Sequence, residues 1–184
     1  MPPELQRLLD ELFVEPLGDG FGVAKGLDEQ QGTWRPSPGA WSVAECFDHL
    51  AVSNRVYLVP LRQGAARGRA QGRLRRKPAL PGIIGGWFAR YLEPPASVKT
   101  KNPRITTPRT SPPLADSLTA FLESQAGVHD FIRTNADLDL AGIRFVNPFI
   151  RGVRFSLATG LHVIAAHDRR HLWQAWNVRR AGGQ

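Results

Sequence analysis

The 184-residue chain, with 42% hydrophobic and 22% charged residues, is long enough to bury one core and too apolar to be disordered. Its single cysteine, Cys46, excludes an intramolecular disulfide and a Cys-rich zinc site, and suits a reducing compartment. The amino terminus carries acids within its apolar periodicity and lacks a basic segment ahead of an apolar core, so no signal peptide is expected. No run of about 18 apolar residues is present to span a membrane. A cytoplasmic setting is the expectation. The net charge of +8 is unevenly placed: Arg62, Arg67, Arg69, Arg73, Arg75, Arg76 and Lys77 fall within one stretch, 62–77. Such a run could hold phosphates or acidic lipid heads. Gly64, Gly68 and Gly72 interrupt it and no aromatic is interleaved. A solvated, flexible connection is therefore favoured over nucleic-acid binding.

Residues 3–13 place Leu5, Leu8, Leu9, Leu12 and Phe13 at helical spacing behind Pro2 and Pro3. Gly18, Gly20 and Gly22 are expected to interrupt this first helix, with a second helical piece around 20–31. Two prolines and a glycine fix 34–41 as a loop. Ser42 and Glu45 form a capping-box pattern, so the second long helix should start there and run to about Gln63. Its buried stripe is Val43, Cys46, Phe47, Leu50, Asn54, Tyr57 and Leu61. On that stripe Cys46 reads as a small packing residue rather than a nucleophile.

Residues 64–111 make a long connection: the basic run, a short helix near 83–92, then an extended Pro-rich segment, 99–113. A connection of this length covers something or acts as a lid. Ser111 and Pro112 look like a cap and first turn for the third long helix, running to about Asn135 with Leu114, Leu118, Phe121, Leu122, Val128 and Ile132 inward. Residues 137–156 alternate like two short strand pieces. The fourth long helix follows from a cap at about Ser156 to Arg180, with Arg179 and Arg180 suited to its negative end. Four long amphipathic helices and no convincing sheet predict an all-α four-helix bundle. The long second connection allows the second and third helices to lie parallel.

The fourth helix carries the chemistry. Leu157, Leu161, Ile164, Ala165, Leu172, Ala175 and Trp176 make its apolar face, and His167 and His171 stand one turn apart on its flank. Two imidazoles so placed can reach one ion, and imidazole suits zinc, nickel, copper or iron. The pair needs a further ligand, and His49, at the edge of the second helix's stripe, is the best donor. Edge positions on two facing helices meet at a groove, where an ion keeps open places. His162 points away from His171, and His129 reads as a core histidine or, less favoured, a fourth ligand or pocket wall. Glu45, Asp48 and Asp168 are candidate general bases. Glu45 has a plainer role in the capping box, and Asp48 as a solvated or Arg-paired carboxylate. Asp168 falls on the apolar face, where a lone carboxylate is costly, so it should pair with an arginine or orient a ligand histidine.

Two phrases, W-S-x-x-E-x-x-x-H-L at 41–50 and H-x-x-x-H-L-x-Q at 167–174, with the extended 101–113 stretch between them, resemble the DinB-like superfamily across nearly the whole chain. The resemblance implies a four-helix bundle with up-down-down-up connections, often dimeric. It also implies a divalent metal held by three histidines, which fall on His49, His167 and His171. It further implies a metal-dependent hydrolase or a transferase using a low-molecular-weight thiol, acting on a small molecule. Zinc or nickel leads among the metals, with manganese or iron behind. Zinc on three neutral imidazoles would lower the pKa of bound water to about 7, or keep a thiol deprotonated. A non-catalytic metal- or ligand-binding bundle and a nucleic-acid binder using 62–77 are the rival readings.

Overall fold

The computed structural model describes residues 1–95 and 102–183. Part of the predicted Pro-rich extended segment, 99–101, therefore lies outside the described residues. Helix α1 (Pro3–Leu9) passes through a π-helical turn (Asp10–Val14) into α2 (Glu15–Ala24), burying Leu5, Leu8, Leu9 and Leu12. The expected break at Gly18, Gly20 and Gly22 does not occur, and the second piece is not a helix over 20–31. The reason is contact: a Cβ at Gly20 would lie 3.3 Å from the Phe121 ring, and one at Gly22 would lie 3.1 Å from Trp176. The bare backbone lets two aromatic rings lie against the helix, and their burial offsets the roughly 1 kcal/mol that a helical glycine costs. A short α3 (Glu29–Thr33) follows, started by a capping box between Asp28 and Gln31.

Helix α4 (Val43–Ala70) starts as expected. The Glu45 N–H donates to Ser42 Oγ (3.2 Å) and the Ser42 N–H donates to Glu45 Oε2 (2.9 Å). It does not stop near Gln63. Gly64 and Gly68 are close-approach positions: a Cβ at Gly64 would lie 3.0 Å from Leu157 Cδ2, and one at Gly68 2.3 Å from Ile143 Cδ1. The basic run is thus helical up to Ala70 rather than a flexible connection. Three of its arginines meet acids from distant positions. Arg69 makes a two-pronged pair with Asp137 (2.7 and 2.9 Å), Arg73 approaches Asp139 (3.6 Å), and Arg75 pairs with Glu4.

Helix α5 (Ile83–Leu92) lies on α7 (Leu157–Ala181), with Gly85 against Thr159. A strap, residues 102–113, holds a 3₁₀ turn at Arg104–Thr106 and leads into α6 (Leu114–Thr134). Ser111 is not the cap of α6. It sits at φ +47°, Pro113 takes the cap position, and the Leu114 N–H donates to the Glu29 carboxylate of α3 (2.9 and 3.1 Å). The two strand pieces form an antiparallel hairpin, β1 (Arg144–Val146) with β2 (Arg154–Ser156), pairing Phe145 with Phe155. Helix α7 then begins at a Ser156 cap.

The four long helical stretches pack on one another, with α4 against both α6 and α7. Their core is in two clusters. One gathers Tyr57, Leu61, Val128, Ile132, Phe145, Leu157 and Leu161, the other Phe47, Leu50, Phe121, Leu172 and Ala175. Between them, on each of three helices, lies a buried polar residue or pair: Asn54 on α4, Ser124 and Gln125 on α6, Asp168 on α7. No helix among the described residues is long and apolar enough to cross a membrane.

Two glycines in helices should respond in opposite ways to a methyl group. A Cβ at Gly160 would meet Phe145 at 2.7 Å and Leu61 at 2.9 Å, whereas Gly18 has nothing within 4 Å. Gly160→Ala is expected to lower stability by about 1–3 kcal/mol through overpacking. Gly18→Ala should raise it by up to about 1 kcal/mol. Urea denaturation of the two variants beside the parent checks both signs.

Candidate metal centre

Helix α4 carries His49 and α7 carries His167 and His171, and the packing of these helices brings the three rings together. Ring centroids are 5.1 Å apart for His49 and His167, 4.4 Å for His49 and His171, and 4.6 Å for His167 and His171. One nitrogen from each ring lies within 4.8 Å of the other two. The Nε2 atoms of His49 and His167 are 3.2 Å apart. Two nitrogens on one tetrahedral zinc at about 2.0–2.1 Å would be about 3.3 Å apart. Their orientation is set from outside. The His49 Nδ1–H donates to the Thr106 carbonyl of the strap (2.6 Å), and the His171 Nδ1–H donates to Gln174 Oε1 (3.0 Å). Each bond fixes a tautomer with a bare Nε2, the form that a cation requires. The donor set therefore fits a divalent ion. Trp41 covers it, with its ring centroid 4.7 Å from His49 and 5.6 Å from His171.

The strap is fastened beside the centre. Asp48, next to His49 in α4, accepts from the Arg109 backbone N–H (2.8 Å), Nε (2.8 Å) and guanidinium NH2 (2.7 Å). That pair holds the segment bearing the Thr106 carbonyl.

Burial keeps the rings neutral. It pushes the His49 imidazole down to about 4 and His167 down to about 3, with His49 and Arg170 lowering His167 further. His171 falls well below its ordinary value for the same reason. His167 and His171 are half-buried by surface and line a cavity.

The carboxylates sit elsewhere. Glu45 has both oxygens on Arg35 and the Ser42 N–H. Asp168 is fully buried, and its hydrogen-bond donors among the described residues are amides rather than an arginine or a ligand histidine. Gln125 Nε2 (2.6 Å) and Asn54 Nδ2 (3.5 Å) donate to its Oδ2. One residue along α7 turns a side chain by about 100°, so His167 faces the groove while Asp168 faces the interior. Burial raises its pKa to about 7. His129 lies against Phe13, 4.6 Å between centroids, and His162 is half-buried beside Ala79, so neither joins the trio. Cys46 is buried and its thiol is pushed well up by burial, as a packing residue.

A cavity of about 740 Å³ opens on the trio. Among the described residues that line it there is no Asp or Glu. Sequence reasoning missed Thr106, Arg109 and Gln125. The first acts through its backbone, and the others act through partners remote in sequence. Gln174 did carry a signal, as the last letter of the 167–174 phrase.

A family model described as the DinB superfamily matches residues 21–175. YfiT from Bacillus subtilis, described as a probable metal-dependent hydrolase with an unusual four-helix bundle topology, has a similar solved structure. The likeness has a TM-score of 0.63 at 15% identity and covers 100% of this chain and 90% of that one. No curated protein matches the chain.

Two outcomes follow from this geometry. Arg109→Ala frees the strap and is expected to weaken zinc binding about tenfold or more, measured by competition with a chromogenic chelator, with little change in helix content. In chelator-treated protein the unfolded chain takes up three imidazole protons below about pH 6.5 that the fold refuses, which costs stability as pH falls. The Asp168 carboxyl works in the opposite sense between its ordinary range and about 7. Three groups outweigh one, so stability should fall from pH 6.5 towards 4. Denaturant midpoints across that range check the slope, and Asp168→Asn should steepen it.

Proposed function

Because this chain belongs to the DinB superfamily, we propose that it is a divalent-metal-dependent enzyme acting on a small molecule, with His49, His167 and His171 as the ligands. The observation that carries this is the convergence of three ring nitrogens within 4.8 Å, two of the rings held by the Thr106 carbonyl and Gln174. A bound zinc or nickel would supply Lewis acidity, bringing the pKa of water towards 7 or keeping a thiol deprotonated. The chain's own residues do the rest. Thr106 and Gln174 hold two imidazoles in the ligating tautomer. Trp41 shields one side of the trio from water, and the cavity receives the substrate.

Hydrolysis is the first reading, supported by the likeness to a protein described as a probable metal-dependent hydrolase. Transfer of a low-molecular-weight thiol is the second. What favours it is that, among the described residues, no carboxylate lines the cavity to serve as a general base, and a thiol beside a cation needs none. An up-down-down-up winding belongs to the same proposal. It is supported by Arg55 reaching Glu123 while Arg69 reaches Thr134, which sets α4 and α6 in one direction. A cytoplasmic setting and a homodimer complete the reading. Self-association is supported by Ile83, Ile84 and Trp87 on α5, which are 93%, 78% and 63% exposed.

Protein purified without a histidine tag should hold about one zinc, nickel, manganese or iron ion per chain by mass spectrometric metal analysis. His49→Ala and His167→Ala should lose it. Absence of metal from the parent would overturn the proposal. Metal without turnover on panels of esters, amides and thiol–electrophile pairs would leave a binding module.

A further inference from the structure

The cavity has two unlike ends, and the histidines lie between them. Along α7 it runs from Val163 to beyond Asn177, about 21 Å at 1.5 Å per residue. His167 is about 6 Å from the first end, and His171 about 9 Å from Asn177. The first end is walled by Tyr57, Phe88, Leu92, Phe149, Ile150 and Val163. Tyr57 and Val163 are buried, at 3% and 5% exposed. Most polar atoms here are already spent. Asn147 Nδ2 donates to the Tyr57 hydroxyl (3.0 Å), Asn147 Oδ1 accepts the Phe149 and Ile150 N–H groups (2.8 and 3.0 Å), and Asn54 turns to Ser124 and Asp168. The other end is formed by Gln174, Asn177 and the loop residues Pro36 and Gly39, both exposed to solvent. One end therefore offers an apolar wall, and the other offers amide groups beside Trp173 and Val178 at an open mouth.

We propose that the substrate is an amphiphilic small molecule whose aryl or short alkyl arm lies between Tyr57, Phe88, Phe149 and Val163, whose polar arm lies along Gln174 and Asn177, and whose reacting bond sits at the histidines. This rests on the metal-dependent reading above and adds the substrate's polarity and direction. Each methylene moved from water to the apolar end improves affinity about fourfold. An ammonium on that arm meets no carboxylate among the described lining residues, which do include Arg170, and is strongly rejected. Polar groups on the opposite arm stay at the mouth, where water and amides serve them.

Straight-chain alkyl hydroxamic acids, from acetohydroxamic to octanohydroxamic acid, test this when titrated calorimetrically into the zinc-loaded chain. The hydroxamate head anchors on the cation, and the tail reports the apolar end. Affinity should rise about fourfold per methylene over the shorter members and then level off. An ammonium at the tail end should cost at least tenfold, while a carbamoylmethyl group on the hydroxamate nitrogen should change affinity less than about threefold. Ile150→Trp should bring the levelling to a shorter chain. If that variant misfolds, the ammonium-tailed series on the parent protein decides. A flat series, or equal tolerance of polar groups at both ends, with zinc bound, overturns this proposal and leaves the metal centre intact. Failure to bind zinc overturns the reading beneath it.

Discussion

The register of α4 against α7 is the constraint on which the rest depends. It is set by two glycines that admit neighbouring side chains almost to the backbone: Gly64 against Leu157, and Gly160 against Leu61 and Phe145. With those contacts fixed, His49 comes level with His167 and His171. A slip of one helical turn would move it about 5.4 Å, more than the distance that separates the ring nitrogens. The close packing at one end of the helix pair thus sets the chemistry several turns away.

A second constraint is the polar layer that divides the core. Asn54, Ser124, Gln125 and Asp168 occupy one level of the bundle where burial is otherwise apolar. A carboxyl group there is costly, and its Oδ1 has no protein partner among the described residues. The layer lies beside His167, its neighbour in α7, and draws on Asn54, which also lines the cavity. The interior is therefore polar directly behind the trio, while the cavity in front of it is largely aromatic and aliphatic. The strap adds the third support. It crosses α4 at Asp48 and His49, pinned by Arg109 and giving its Thr106 carbonyl to the ligand ring.

Much of this was legible in the sequence, for local reasons. Apolar spacing located the long helices, Ser42 and Glu45 marked where α4 starts, and the flank positions of His167 and His171 put them on one groove. The failures share one cause. Intrinsic propensity counts Gly20, Gly22, Gly64 and Gly68 as breaks. Their value here lies in the aromatic or aliphatic side chain packed onto them from another part of the chain. The same applies to Arg69 and Arg75, whose acids lie at Asp137 and Glu4, and to α6, whose first N–H is satisfied by Glu29 rather than by a neighbouring residue. The apolar face around Asp168 implies a partner for it, and amides from two other helices, rather than an arginine or a ligand histidine, donate to its Oδ2.

The Nε2 atoms that meet at 3.2 Å belong to residues 118 positions apart, whereas His167 and His171 are joined by a single turn of helix. The second pair can form as soon as α7 does. The first must await closure of most of the chain, a costly step that native contacts reward only at its end. A cation gripped by all three rings would thus act after the folding barrier has been crossed. It would hold the finished molecule shut, slowing its opening and leaving the speed of its assembly almost unchanged.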